Sequence, residues 1–207
     1  VYVETCTQYL VLDEEKYNLP GTEGLKYVMS PPLRNKSNQE KLWRGIRNGD
    51  IQVVATDHCP FSYEKEKVPM GKDNFAKCPN GAPGVEARMP VLFSEGVMKG
   101  RISINKFVEV TSTNPAKICG MYPKKGSIAV GSDADLVIID KNKKVTITKE
   151  LFHENVDYTS YEGIELEGYP VMTIVRGKVI VKDNIFVGEE GYGQFIKRYK
   201  NDEYVVY

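Results

Sequence analysis

One stretch constrains the fold more than any other: residues 37–61, where a helical pattern hands over directly to a buried strand. Ser37 and Glu40 have the spacing of a capping box, Leu42, Trp43 and Ile46 make one apolar face, and Gly49 is a natural C-terminal stop. Residues 51–56 then read as a strand buried on both faces. The apolar run stops at Asp57, His58 and Cys59, and Pro60 forbids any regular continuation. A helix followed at once by a buried strand is the rhythm of an α/β sheet or barrel.

A carboxylate at the C-terminal end of such a strand stands where α/β barrels place their chemistry, because the loops there converge on one open face. Asp57 can therefore be read as a group that binds a metal and accepts a proton from bound water. It can equally be read as a helix cap or a turn residue. His58 leaves an extended backbone in the opposite direction, so it reads as structural rather than as a ligand to the same ion. Cys59 reads as a small packed residue. Ser30 precedes Pro31-Pro32, two residues without backbone donors that stiffen the turn, so its peptide groups are either held out toward a ligand or merely part of a turn. Asn80-Gly81 is a turn dipeptide with the same two readings. The chain has two histidines, His58 and His153. No Ser-His-Asp or Cys-His arrangement can be argued from them, and His153, beside Phe152, reads as a surface or packing residue. The charged run at 63–67 reads as a solvated loop face.

The remaining pattern supplies an outline. Residues 1–3 alternate like a short strand, 9–12 are apolar, and 25–29 form a strand candidate. Residues 62–84 read as a long loop, a kind of segment that is often functional. Helices are expected at 85–98 and at 104–110, the second capped by Ser103. A third starts at Asn114-Pro115, cap then proline, and ends at Gly120. Beyond it, residues 134–140, 145–148 and 171–181 are rich in β-branched residues, with turns at Arg176-Gly177 and Asp183-Asn184. The texture divides the chain into 1–120, a β-rich 121–190 and a tail, 191–207.

Composition narrows the partners. Lys plus Arg and Asp plus Glu both number 28, so no basic field points to nucleic acid or a membrane surface. No apolar run approaches the roughly 20 residues that span a bilayer, and no signal peptide is expected ahead of the first strand. Cys6, Cys59, Cys78 and Cys119 form no CxxC pair, which speaks against a zinc ribbon or a disulfide framework and fits a reduced, cytoplasmic setting.

Several stretches taken together resemble one family: ETCTQYL (4–10), YVMSPPLR (27–34), VVATDHCPF (53–61), CPNGAPGVEARMP (78–90), the segment from TSTNPAK to SDADLVIID (111–140), and GYGQFIKR (191–198). In this order they are similar to the dihydropyrimidinase and D-hydantoinase group of cyclic amidohydrolases. The resemblance implies hydrolysis of a ring C–N bond, as in 5,6-dihydrouracil or a 5-substituted hydantoin, giving an N-carbamoyl amino acid. It implies a (β/α)₈ TIM-like barrel with two divalent metal ions, usually zinc, bridged by hydroxide and a carboxylated lysine. A β-sandwich built from both chain ends accompanies that barrel. By position, Asp57 matches a metal-binding general base and acid, and Ser30 and Asn80 match residues whose main-chain groups hold the substrate amide. Family members are commonly dimers or tetramers, so a homo-oligomer is expected, with the tail 191–207 packed on a partner subunit.

The family's His-x-His pair, carboxylated lysine, two later histidines and oxyanion-stabilising tyrosine have no counterpart in this sequence. A barrel needs about 250 residues. The chain is thus expected to be the C-terminal part of a metallo-hydrolase barrel followed by part of a small β-sandwich. On its own it is expected neither to hold two metals tightly nor to hydrolyse dihydrouracil, since zinc prefers three or four ligands. A di-zinc stoichiometry in the isolated chain would contradict this. Exposed strand edges of a partial barrel invite pairing with another chain. Two other readings remain at this level: a non-catalytic dihydropyrimidinase-like scaffold protein, and an allantoinase or dihydroorotase.

Overall fold

A computed structural model describes residues 1–198; residues 199–207, and with them most of the tail, lie outside the described residues. The architecture is α/β. Two short parallel strands, β1 (Glu4–Cys6) and β2 (Val53–Ala55), pair in register with Thr5 opposite Val54. Between them run α1 (Thr7–Val11) and α2 (Ser37–Asn48), so the first quarter of the chain is a βαβ crossover.

The helix expected ahead of the strand is α2. Trp43 and Ile46 are fully buried, and Gly49 closes the helix at φ +86°, its N–H on the Ile46 carbonyl at 3.2 Å. The capping box does not form. The Asn35 carboxamide oxygen accepts the Ser37 N–H at 3.0 Å, while Glu40 pairs with Arg47. The cap therefore comes from two residues further back. Trp43 fixes α2 to the crossover by donating its indole N–H to the Leu10 carbonyl at 3.2 Å. Val54 lies fully buried in the middle of β2.

Three other expectations shift. The first strand is not 1–3 but Glu4–Cys6, because Gln52 and Val53 donate to the Val3 carbonyl and set the register there. Residues 25–29 bury Leu25, Tyr27 and Met29 in strand-like alternation, yet Glu23–Tyr27 is a 3₁₀ turn. Its carbonyls are met by a side chain rather than by a neighbouring strand. Residues 62–84 are not a featureless loop. They hold a π-type turn, Tyr63–Lys67, a short helix α3 (Val68–Gly71) and a 3₁₀ turn, Phe75–Lys77. Asp157, distant in sequence, caps the first of these: its carboxylate accepts the N–H groups of Tyr63 at 2.6 Å and Glu64 at 2.9 Å and the Ser62 hydroxyl at 2.9 Å. Despite partial burial, these bonds from Glu64, Tyr63 and Ser62 hold the Asp157 carboxyl below the ordinary carboxylate range.

Helix α4 (Arg88–Leu92) continues as a π-type stretch, Phe93–Met98. Helix α5 (Ile104–Val108) is capped by Ser103, whose hydroxyl accepts the Lys106 N–H at 3.1 Å. It runs without a break through Glu109–Thr113 into α6 (Asn114–Ile118). Asn114 is therefore no cap, and its side chain instead donates to the Gln52 carbonyl at 2.9 Å.

The β-rich part is one antiparallel sheet in the order β3 (Leu136–Thr146), β4 (Glu165–Val175), β5 (Lys178–Lys182), β6 (Ile185–Phe186). The two strands expected at 134–140 and 145–148 are one, with an irregularity between Asp140 and Lys144. Both hairpin turns form as expected. Arg176-Gly177 has φ +46° and +80°, and Asp183-Asn184 has +50° and +65°, the two left-handed residues of a type I′ turn. Among the described residues the sheet is a single layer, with Val137, Ile138, Ile185 and Phe186 exposed.

The change of texture at 121 does not divide the core. Ile147, Phe152, Tyr161, Leu166 and Tyr169 pack into one cluster with Met29, Leu33, Ala87 and Val91. A second cluster joins Trp43, Ile46 and Val54 to Leu92, Phe107 and Val110. No helix among the described residues is long and apolar enough to cross a membrane. All four cysteines are free thiols.

Candidate active site

Strand β2 delivers Asp57 to the surface at its C-terminal end, and the strand is fixed there by side chains rather than by a second neighbouring strand. Arg88 donates to the Val54 carbonyl at 3.1 Å, Thr7 to Ala55 at 3.4 Å, and Gln8 to Thr56 at 3.1 Å. Gln8 is in turn 3.4 Å from the hydroxyl of Tyr161, a fully buried ring. The chain then turns at Asp57, which has φ +49°. A non-glycine residue in the left-handed region is uncommon, and aspartate is among those that tolerate it. Such strain persists only where the surroundings impose it, and it concentrates at functional sites.

The next residue is held as tightly. The His58 Nδ1 accepts the N–H of Gly84 at 3.1 Å and of Val85 at 3.3 Å. The Glu154 Oε1 lies 3.8 Å from the same nitrogen. His58 therefore serves the turn, and the metal-and-proton reading passes it by. Cys59 donates its N–H to Ala82 at 3.1 Å, and Gly81 packs against it so closely that an added Cβ would lie 2.7 Å from the Cys59 Cβ. His153 is a surface residue, 2.8 Å from Glu86.

Ser30 and Asn80 are brought together. The Asn80 carboxamide donates to the Ser30 hydroxyl at 2.7 Å, and both line a cavity of about 660 Å³ whose walls include Leu25, Val28 and Phe75. The Ser30–Pro31 peptide is cis, and the Tyr9 hydroxyl donates to the Pro31 carbonyl at 2.8 Å. Asp57 lies in a neighbouring cleft of about 710 Å³ with Cys6, Tyr9, Pro31 and Arg34. Pro32 lines both spaces, so the Ser30-Pro31-Pro32 turn is the wall between the carboxylate and the Ser30–Asn80 pair. Burial, with help from Glu4 and Asp57, pushes the Cys6 thiol up to about 11, and burial with Cys6 and Asp57 pushes the Tyr9 phenol up to about 12. Both stay protonated at neutral pH. Cys6 therefore has little thiolate character, and the one O–H of Tyr9 is spent on the Pro31 carbonyl.

Reading the charged run at 63–67 as a solvated face missed two buried side chains. Tyr63 and Lys67 are both buried, Lys67 at 0% exposure. The Lys67 Nζ donates to the carbonyls of Leu25, Val28 and Pro79 at 3.1, 3.1 and 3.0 Å. Three acceptors use three N–H bonds, the full complement of the ammonium. Burial pulls its pKa below the usual lysine range, while Cys78 and Cys59 oppose that shift. Flanked by Glu64, Lys65 and Glu66, Lys67 carries no local mark that separates it from a surface lysine.

Among the described residues, no three His, Cys, Asp or Glu side chains converge as a metal cage. They do not by themselves fit a two-metal centre: Asp57 is one carboxylate, Cys6 is a protonated thiol, and His58 is committed to backbone N–H groups.

The Amidohydrolase family matches residues 9–180. The chain belongs to that family. It is 50% identical to a D-hydantoinase of Geobacillus stearothermophilus over 200 residues, covering 97% of this chain and 42% of that protein. It is 50% identical to a D-phenylhydantoinase of Escherichia coli O1:K1 / APEC, over 96% of this chain and 42% of the relative. Among solved structures, the dihydropyrimidinase from Brevibacillus agri NCHU1002 superposes with a TM-score of 0.93 at 51% identity, covering 96% of this chain and 43% of that one. Within the amidohydrolase family the chain is thus similar to hydantoinases and dihydropyrimidinases, and spans about two fifths of their length.

Proposed function

We propose that this chain supplies the proton-transfer group and the amide-binding loops of a cyclic amide hydrolase that opens a 5,6-dihydropyrimidine or hydantoin ring. The observation that carries this reading is Asp57, a carboxylate in the left-handed region at the C-terminal tip of a parallel strand, one turn away from the Ser30–Asn80 pair. In the reaction, a water oxygen attacks the ring carbonyl carbon and the C–N bond breaks. Asp57 takes the water's proton on a carboxylate oxygen and returns it to the leaving nitrogen. The main-chain groups of Ser30 and Asn80 meet the ring amide, which offers both a donor and an acceptor. Two divalent ions, zinc in the first instance, and a carboxylated lysine belong to the same reading. Of their ligands this chain offers Asp57, and the rest would come from outside the described residues.

The same reading takes 1–120 as the C-terminal part of a TIM-type barrel and 121–190 as part of a β-sandwich, in an oligomer of soluble, cytoplasmic subunits. The test is a substrate panel given to the full-length protein: dihydrouracil, 5-phenylhydantoin, allantoin and dihydroorotate. Opening of the first two is the expected result. Turnover confined to allantoin or dihydroorotate would reassign the substrate, and a folded, metal-loaded protein that opens no ring would favour a scaffold.

A further inference from the structure

We infer that Lys67 is the positioning residue of the amide-binding site: its ammonium ties the turn that precedes Ser30 to the peptide that carries Asn80. This rests on the ring-opening reading for its meaning, though not for its geometry. Two of the three carbonyls it holds belong to Leu25 and Val28, in the turn that leads into Ser30, and the third is that of Pro79. A second tie runs between the same loops, from the Gly81 N–H to the Val28 carbonyl at 3.0 Å. The Asn80–Ser30 side-chain bond closes the arrangement at the surface. Lys67 is the buried member, and among the described residues no carboxylate pairs with it.

The choice of lysine follows from the carbonyls. The Leu25 and Val28 carbonyls also accept the backbone N–H groups of Val28 at 3.2 Å and Gly81 at 3.0 Å, while the Pro79 carbonyl has beside it only the weak Cys78 thiol donor at 3.6 Å. A single buried ammonium reaches all three oxygens at once, and so joins the two loops through one donor. It also acts on the ligand side. The Pro79 carbonyl and the Asn80 N–H share one peptide unit, whose resonance couples them. A positive donor on the carbonyl draws charge from the nitrogen and makes the N–H a stronger donor, the cooperative effect of chained hydrogen bonds in a low dielectric. The Asn80 N–H makes no hydrogen bond among the described residues, and Asn80 borders the cavity. It is thus free to meet a carbonyl oxygen of a ring amide.

The experiment compares Lys67→Met with wild type in the full-length protein, by hydrogen exchange and by steady-state kinetics on whichever ring wild type opens. Amides in 25–30 and 78–82 are expected to exchange about tenfold faster, with α2 unchanged, since the loss of a hydrogen-bonded charge is local. KM is expected to rise about tenfold with kcat held within about threefold, the mark of lost ground-state positioning. Lys67→Gln removes the charge but keeps donors, and serves if the methionine variant does not fold. Unchanged exchange in 25–30 and 78–82 overturns the inference. So does a fall in kcat at constant KM. If wild type opens no ring, the function reading fails while the exchange result still decides whether Lys67 ties the loops.

Discussion

Around the tip of β2 and in the hairpins of β4 to β6, the backbone is satisfied in opposite ways. At β2 and in the turn leading to Ser30, the donors come from residues far away in sequence: Gln8 reaches Thr56 across 48 residues, Arg88 reaches Val54 across 34, and Lys67 reaches Leu25 across 42. In the hairpins, each strand bonds to the next through turns only two residues long, at Arg176-Gly177 and Asp183-Asn184. The first region is assembled by tertiary packing and holds a strained carboxylate. The second follows turn chemistry and ends in exposed strands. A site that must hold an aspartate at φ +49° needs support from many directions, which a hairpin cannot give.

The comparison can be broken most sharply at Asp57. The side chain is exposed, so Asp57→Asn should leave folding intact, while kcat/KM in the full-length protein falls by about 10²–10⁴-fold, as for loss of a general acid–base group. Steady-state kinetics beside a thermal melt will show it, and activity within about threefold of wild type would remove Asp57 from the chemistry.

A smaller effect is expected at Gly81. Its φ is +155° and an added Cβ would lie 2.7 Å from both the Cβ and the carbonyl oxygen of Cys59. Gly81→Ala should destabilise by about 1–3 kcal/mol through overpacking, measured by denaturant unfolding. An unchanged midpoint would mean that the two loops give way easily, contrary to the tight support described for this region.

Acid sharpens the contrast through Asp157. Its folded-state pKa is depressed, so its contribution to stability is complete above the ordinary carboxylate range and is lost as pH falls through the lower folded value. Acid unfolding followed by circular dichroism should begin at higher pH, and descend less steeply, in Asp157→Asn than in wild type. Coincident curves would show that the cap on residues 63–67 adds nothing.

The smallest effect belongs to the hairpins. Asp183→Gly, at φ +50°, should change stability by less than about 0.5 kcal/mol, since glycine adopts that conformation freely. A loss above about 2 kcal/mol in a melt would show that the turn depends on tertiary support after all, and erase the distinction.

Sequence alone determined what local rules govern. The face of α2 and its Gly49 stop, the Ser103 cap, the two I′ turns and a strand that stops just ahead of Asp57, though at Ala55 rather than Thr56, each depend on residues a few positions apart. The family motifs added Ser30 and Asn80, which the fold brings to 2.7 Å of each other. Tertiary structure alone decided the rest. Residues 25–29 alternate like a strand but turn, with the Leu25 and Val28 carbonyls held by Lys67 and by the N–H groups of Val28 and Gly81, and Asn114 gives up a cap for the Gln52 carbonyl. The physical reason is the same in each case. A buried carbonyl must find a donor, and when the neighbouring strand does not provide it, a side chain from elsewhere does, at a distance that no local pattern records.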